Sequence, residues 1–171
     1  MDARLLVVGM APGLRGANRT GRPFTGDHAG ILLYNTLLRF GLARGTYGAD
    51  PADGLTLIDT RITNAVRCVP PANKLETGEL GNCNQFLVSE LGNLANLKAI
   101  LALGVHAHDA VLIAGKLRKS HFRFAHGAMH ALPDGMLLAD SYHVSRLNTN
   151  TGRLTTAMFE AVVEGIVRHL G

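Results

Sequence analysis

The chain has 171 residues, of which 47% are hydrophobic and 18% charged, and carries a net charge of +4. This is the length of one domain with room for a full three-layer core, and its composition excludes disordered and fibrous classes. No apolar run approaches the ~20 residues of a membrane span, and the run at 5–8 meets Gly9 too soon to be the core of a signal peptide, so the expected location is cytoplasmic.

Residues 5–8 (LLVV) form a short continuous apolar run and predict a first strand. Ile31, Leu32, Tyr34, Leu37, Leu38 and Leu42 then recur at helical spacing. Residues 55–66 predict a strand region rich in β-branched side chains, and 79–94 a helix. Residues 98–103 (KAILAL) predict a second buried strand, 106–113 a short helix, 136–139 (MLLA) another strand and 155–170 a closing amphipathic helix. No repeat or linker divides the chain, so residues 1–171 read as one domain. Strands alternating with helices imply an α/β fold whose mostly parallel sheet is covered on both faces. Ligands of such sheets bind at the carboxyl ends of the strands, where the loops 9–27, 64–74 and 141–153 converge.

These loops hold the unusual chemistry. The first, GMAPGLRGANRTGRPFTGD, contains five glycines, two prolines, three arginines and a single acid, Asp27. Its glycines let backbone N–H groups approach an anion, and its arginines can hold phosphate oxygens in bidentate fashion. It is neither a Walker loop, lacking Gly-Lys-Ser/Thr, nor a dinucleotide fingerprint, whose spacing Pro12 breaks. Phe24 within it is either an anchor packed into the core or a ring that stacks on a nucleobase. Asp27 is either an N-cap for the helix starting near Ala29 or a base that orients water.

The second loop, ITNAVRCVPPANK, places Asn64 at the end of an apolar strand. Its amide either bonds to backbone or reads the edge of a base through its donor and acceptor. Pro70-Pro71 stiffens the chain and presents Asn73 and Lys74. The third, SYHVSRLNTNTGR, sets His143 just past a strand beside Ser145 and Arg146, a position suited to catalysis as well as to a structural role. The cations of all three loops lie among glycine, proline and asparagine, where a solvated helix face would alternate signs. His106 and His108 lack further ligands at zinc spacing and read as structural. Cys68 and Cys83 form no CxxC and read as reduced, buried thiols.

Together the three segments, with ALG at 102–104 and FAHG at 124–127, resemble in sequence and order the signature segments of the type-b (family 5) uracil-DNA glycosylases. The resemblance spans roughly residues 3–158. It implies a three-layer α/β/α sandwich around a mostly parallel four-stranded sheet. It further implies a monofunctional DNA-repair enzyme, acting as a monomer, that flips uracil, and other deaminated bases, out of double-stranded DNA and hydrolyses the N-glycosidic bond.

Carried over by position, Phe24 stacks on the flipped base, Asn64 stands at the base-recognition position, and Gly9 and Ala11 line the base site. Asp27 and Asn73 position the attacking water, and His143 donates a hydrogen bond to uracil O2. Leu147 wedges into the duplex, while Arg15, Arg19, Arg22, Lys74, Ser145, Arg146 and Arg153 contact DNA. No catalytic metal is implied. The resemblance does imply a [4Fe-4S] cluster on four cysteines, of which Cys68 and Cys83 match two. The other two belong to an N-terminal segment, whereas Met1-Asp2-Ala3 here leads straight into the first strand. The cluster is therefore expected to be absent or incomplete, and Leu75 stands where the family usually has proline.

Two rival readings remain at this stage. One is a DNA-binding module of the same fold without activity. The other is a nucleotide hydrolase using the first loop as a phosphate cradle, which needs an acidic metal cluster where these loops hold only Asp27.

Overall fold

The computed structural model describes residues 2–13, 16–70 and 78–171. Its centre is β1 (Leu5–Gly9), every residue of which is buried. A strand hydrogen-bonded on both edges and covered on both faces has no wet side, which is why its sequence is a continuous apolar run. β1 pairs in parallel with β4 (Thr60–Asn64) on one side and β5 (Ala99–Leu103) on the other. β5 in turn pairs in parallel with β7 (Leu137–Ser141).

The sheet order β4-β1-β5-β7-β6 thus contains the four parallel strands that the resemblance implied. A fifth, β6 (Met129–Ala131), lies antiparallel at the edge of β7. Its three residues are partly or fully exposed and too few for a period to show, so periodicity could not reveal it. A turn at 132–136 pairs it to β7, with Gly135 in the left-handed region at φ +87.

Alternate residues of the parallel strands feed two cores. Leu5, Val7, Leu101, Leu103 and Ala139 face the layer of α2 (Ala29–Arg39) and α6 (Thr156–Leu170). Leu6, Val8, Ile100, Ala102 and Leu138 face α3 (Glu79–Gly92) and α4 (Val105–Ala114). The closing helix starts at its cap, where the Thr155 side chain accepts from the Met158 N–H.

One expected element divides. Residues 55–66 are not a single strand: β3 (Thr56–Leu57) joins β2 (Ala43–Arg44) in a separate antiparallel ribbon. The chain then turns at Asp59, φ +47, before entering the main sheet as β4. β-branched composition reports strand backbone but not which partner the strand finds. Two short helices inside the expected loops, α1 (Ala17–Thr20) and α5 (Arg146–Asn150), were also beyond a periodicity reading.

Of the two histidines read as structural, His106 is exposed and His108 is a buried structural group. His108 on α4 is buried, with Nδ1 2.7 Å from the buried Asp140 carboxylate and Nε2 2.8 Å from the Phe122 carbonyl. His130 on β6 donates to the other Asp140 oxygen at 3.1 Å. Ligands sharing a tetrahedral ion at ~2.0–2.2 Å stand ~3.3 Å apart, so the 2.7 Å contact has the length of a shared proton instead. Both ring nitrogens of His108 face acceptors, the arrangement of an imidazolium. Burial opposes that charge, but the Asp140 carboxylate, the Phe122 carbonyl and nearby Asp109 outweigh it and raise the pKa.

A raised pKa contributes stability that is fully present below the unfolded value of ~6.5 and is lost as pH rises through the folded value. The thermal midpoint is therefore expected to fall as pH climbs past neutrality, and His108→Gln should remove that slope. An unchanged slope in this variant would assign the loss to another group.

Candidate active site

The carboxyl ends of β1, β4 and β7 open onto a cavity of about 280 Å³ lined by residues of all three loops, among them Ala11, Phe24, Asp27, Asn64, His143 and Ser145. The expected convergence is therefore real. Gly9, the last residue of β1, stands in register with the cavity residue Asn64 of β4. A Cβ at Gly9 would stand 2.5 Å from Asn64 Oδ1 and 2.5 Å from Phe24 Cζ. Only a bare backbone lets ring and amide meet there.

Phe24 is buried, with its ring centroid 6.1 Å from that of His143 and its backbone at φ +54. A bulky residue in the left-handed region is a strained conformation that surrounding structure has to impose, and such residues concentrate at functional sites. Asn64 carries a second anomaly. Its Oδ1 is buried and has no hydrogen-bond partner among the described residues. An acceptor left so costs ~1–3 kcal/mol unless something donates to it. Phe24 belongs to the hydrophobic core and also lines the cavity, while no hydrogen bond from a described residue accounts for the Asn64 oxygen.

The two oxygens of Asp27 face different surroundings. Oδ1 accepts from the Gly30 N–H at 3.3 Å, capping α2. Oδ2 lies over the first loop, where a Cβ on Gly16 would come within 2.3 Å and one on Gly13 within 3.1 Å. The loop's glycines thus make room for a carboxylate, which the composition alone did not suggest. His143 follows β7 and is half-buried. Burial pushes its pKa down, with the nearby negative charge of Asp27 opposing, so the imidazole is neutral at physiological pH. Asn148 holds the His143 carbonyl at 2.8 Å, and Ser145 caps α5 by accepting from the Asn148 N–H at 3.3 Å.

The expected DNA contacts separate into groups. Arg19 on α1 and Arg146 on α5 are exposed beside the cavity mouth. Leu147 projects with 71% of its surface exposed, unusual for leucine. Arg153 lies over the Tyr142 ring at 4.6 Å. Arg15, Asn73 and Lys74 lie outside the described residues. Arg22 departs from expectation: it makes a bidentate pair with Asp53 at 2.8 and 2.7 Å and donates to Thr25 Oγ1 at 2.6 Å. A guanidinium so engaged, with 18% of its side chain exposed, is a structural group and not a phosphate grip.

The salt dependence of DNA binding distinguishes the two kinds of arginine. Arg146→Gln is expected to flatten the plot of log affinity against log salt by about 0.9, one phosphate contact, whereas Arg22→Gln leaves the slope unchanged. A flattened slope for Arg22→Gln would restore it to the DNA interface.

Cys68 and Cys83 are both free thiols, but neither is buried as expected: Cys68 is exposed, and Cys83 near the start of α3 is half-buried. The loop leading to Cys68 is tied to α3 by protein groups: buried Glu90 accepts from Arg67 at 3.0 Å and from Thr63 at 2.8 Å, and pairs with Arg61. A [4Fe-4S] cluster takes four thiolates. Cys68 and Cys83 would supply two of them.

Residues 1–166 match the model of the uracil DNA glycosylase superfamily. The chain is similar to a type-5 uracil-DNA glycosylase of Thermus thermophilus, 48% identical over 162 residues, covering 95% of this chain and 74% of that one. It is similar also to type-5 uracil-DNA glycosylases of Mycobacterium leprae (44% identical, 93% of this chain and 70% of that one) and Pyrobaculum aerophilum (40%, 95% and 70%). With the strained aromatic, the unpartnered amide oxygen and the neutral histidine at one cavity, these likenesses agree: the chain belongs to the uracil-DNA glycosylase superfamily, in its type-5 branch.

Proposed function

We propose that this chain repairs DNA by excising uracil, hydrolysing the bond between base and deoxyribose. The observation that carries the reading is the buried, unpartnered Asn64 Oδ1 at the wall of the cavity. Uracil offers a donor at N3 and an acceptor at O4, which the Asn64 amide complements with Oδ1 and Nδ2. Cytosine presents an acceptor at N3 and a donor at N4, so each contact becomes repulsive and the normal base is rejected. The cavity, just under the ~300 Å³ at which small-ligand pockets begin, suits a base and not a dinucleotide.

In this reading Phe24 stacks on the flipped base while Gly9 and Ala11 close around it. Bond cleavage leaves an electron pair on the base and positive charge on the sugar. Neutral His143 donates to O2, where negative charge grows, without first giving up a proton. The Asp27 carboxylate, with Asn73, orients the water and stabilises the cationic sugar. Exposed Leu147 fills the gap in the stack, and Arg15, Arg19, Lys74, Ser145, Arg146 and Arg153 hold the backbone of a double-stranded substrate. The enzyme acts as a cytoplasmic monomer and draws on no catalytic metal. Among the described residues no helix is long and apolar enough to cross a membrane. Cys68 and Cys83 take no part in the chemistry.

Base release from U·G, U·A and hypoxanthine duplexes, with iron measured on the same sample, tests the reading. Uracil release by iron-free protein is expected. Tight duplex binding without release would leave a DNA-binding module, and about four irons per chain would return both cysteines to a ligand role.

A further inference from the structure

The left-handed backbone of Phe24 has an identifiable cause outside the cavity. The Phe24 carbonyl accepts from Tyr47 Oη at 3.1 Å, and the preceding Pro23 carbonyl accepts from Tyr34 Oη at 2.6 Å. On the other side the first turn of α2 presses close, since a Cβ on Gly30 would lie 1.8 Å from the Phe24 oxygen. The two tyrosine rings stack at 4.8 Å. The Arg22 guanidinium sits 5.2 Å from the Tyr34 centroid and 5.8 Å from that of Tyr47.

Arg22 is in turn pinned by Asp53, whose carboxylate also accepts from the Gly48 N–H at 2.8 Å and the Leu55 N–H at 3.0 Å. The hydrogen bond from Arg22, together with those backbone donors, holds the Asp53 carboxyl well below the usual carboxylate range. Tyr47 and Asp53 belong to the segment joining β2 to β3, which contributes nothing to the cavity wall.

We propose that Tyr47 and Asp53, acting through Arg22, are positioning residues that clamp the backbone at 23–24 and so hold the Phe24 ring against Gly9. The β2–β3 segment is then a brace for the base-stacking ring. The clamp rests on the proposed stacking role for its effect on excision, but its effect on the ring can be observed without it.

Tyr47→Phe removes only the hydroxyl that Phe24 uses. Two measurements decide the matter: the NOE between the Phe24 ring and the Gly9 Hα protons, and single-turnover release of uracil from a U·G duplex. The expected result is a weakened NOE and release slowed roughly three- to tenfold, the scale of one lost hydrogen bond. Affinity for undamaged duplex should stay constant. In a Phe24→Ala background the same substitution should cost nothing further, because its effect passes through the ring. Asp53→Asn should reproduce the weakened NOE from the far end of the clamp. An unchanged NOE in Tyr47→Phe, or the same loss of rate in both backgrounds, overturns the proposal. If the NOE weakens while Phe24→Ala alone excises at the full rate, the clamp stands and the stacking role falls.

Discussion

His143→Ala is expected to slow single-turnover release of uracil by ~10²–10³, the typical cost of removing one donor aimed at a developing oxyanion. Affinity for a duplex carrying a non-cleavable uracil analogue should change little. The reason is the timing of the charge. Ground-state uracil O2 is a neutral carbonyl oxygen, and the charge that rewards a donor there appears only as the glycosidic bond lengthens. Burial lowers the His143 pKa, so the side chain donates as a neutral imidazole and does not bring its own positive charge into the cavity. His143→Gln, which keeps a donor in nearly the same volume, should recover part of the rate. A His143→Ala enzyme of near-native rate would mean that another residue holds O2. A loss accounted for wholly by weaker binding would remove His143 from the chemistry.

The second large effect is expected at Asp27. Asp27→Asn should reduce excision by ~10²–10⁴, the range ascribed to positioned carboxylates and general bases. The choice of asparagine matters because Oδ1 caps α2 through the Gly30 N–H. The amide oxygen preserves that bond, so the thermal midpoint should stay within a few degrees, whereas alanine adds the ~1 kcal/mol of a lost cap to any effect on catalysis. In the proposed mechanism the substitution removes the negative charge that faces the cationic sugar and the acceptor that orients water. Binding and rate measured on the same variant separate the two roles, since a loss confined to rate identifies transition-state stabilisation. Native rate in a folded Asp27→Asn enzyme would leave Asp27 as a cap alone.

The sequence by itself was most informative where local chemistry is unusual. The continuous apolar runs of β1 and β5 mark strands buried on both faces. The three polar, arginine-bearing loops identify the cavity that they come to line. A period of two or of 3.6 and an excess of glycine are properties of neighbouring residues, so they can be read without knowing the fold. What only the tertiary structure decided was choice of partner. Arg22 in the sequence is one loop cation among several; in space it meets Asp53, 31 positions away, because the β2–β3 ribbon delivers that carboxylate. The Asp27 carboxylate likewise divides its two oxygens between the Gly30 N–H and the glycines of the first loop. The positive φ of Phe24 and the unpartnered oxygen of Asn64 leave no local trace either. Each depends on groups brought together by parallel crossovers, and such long-range pairings are set by the packing of whole layers, not by the residues on either side.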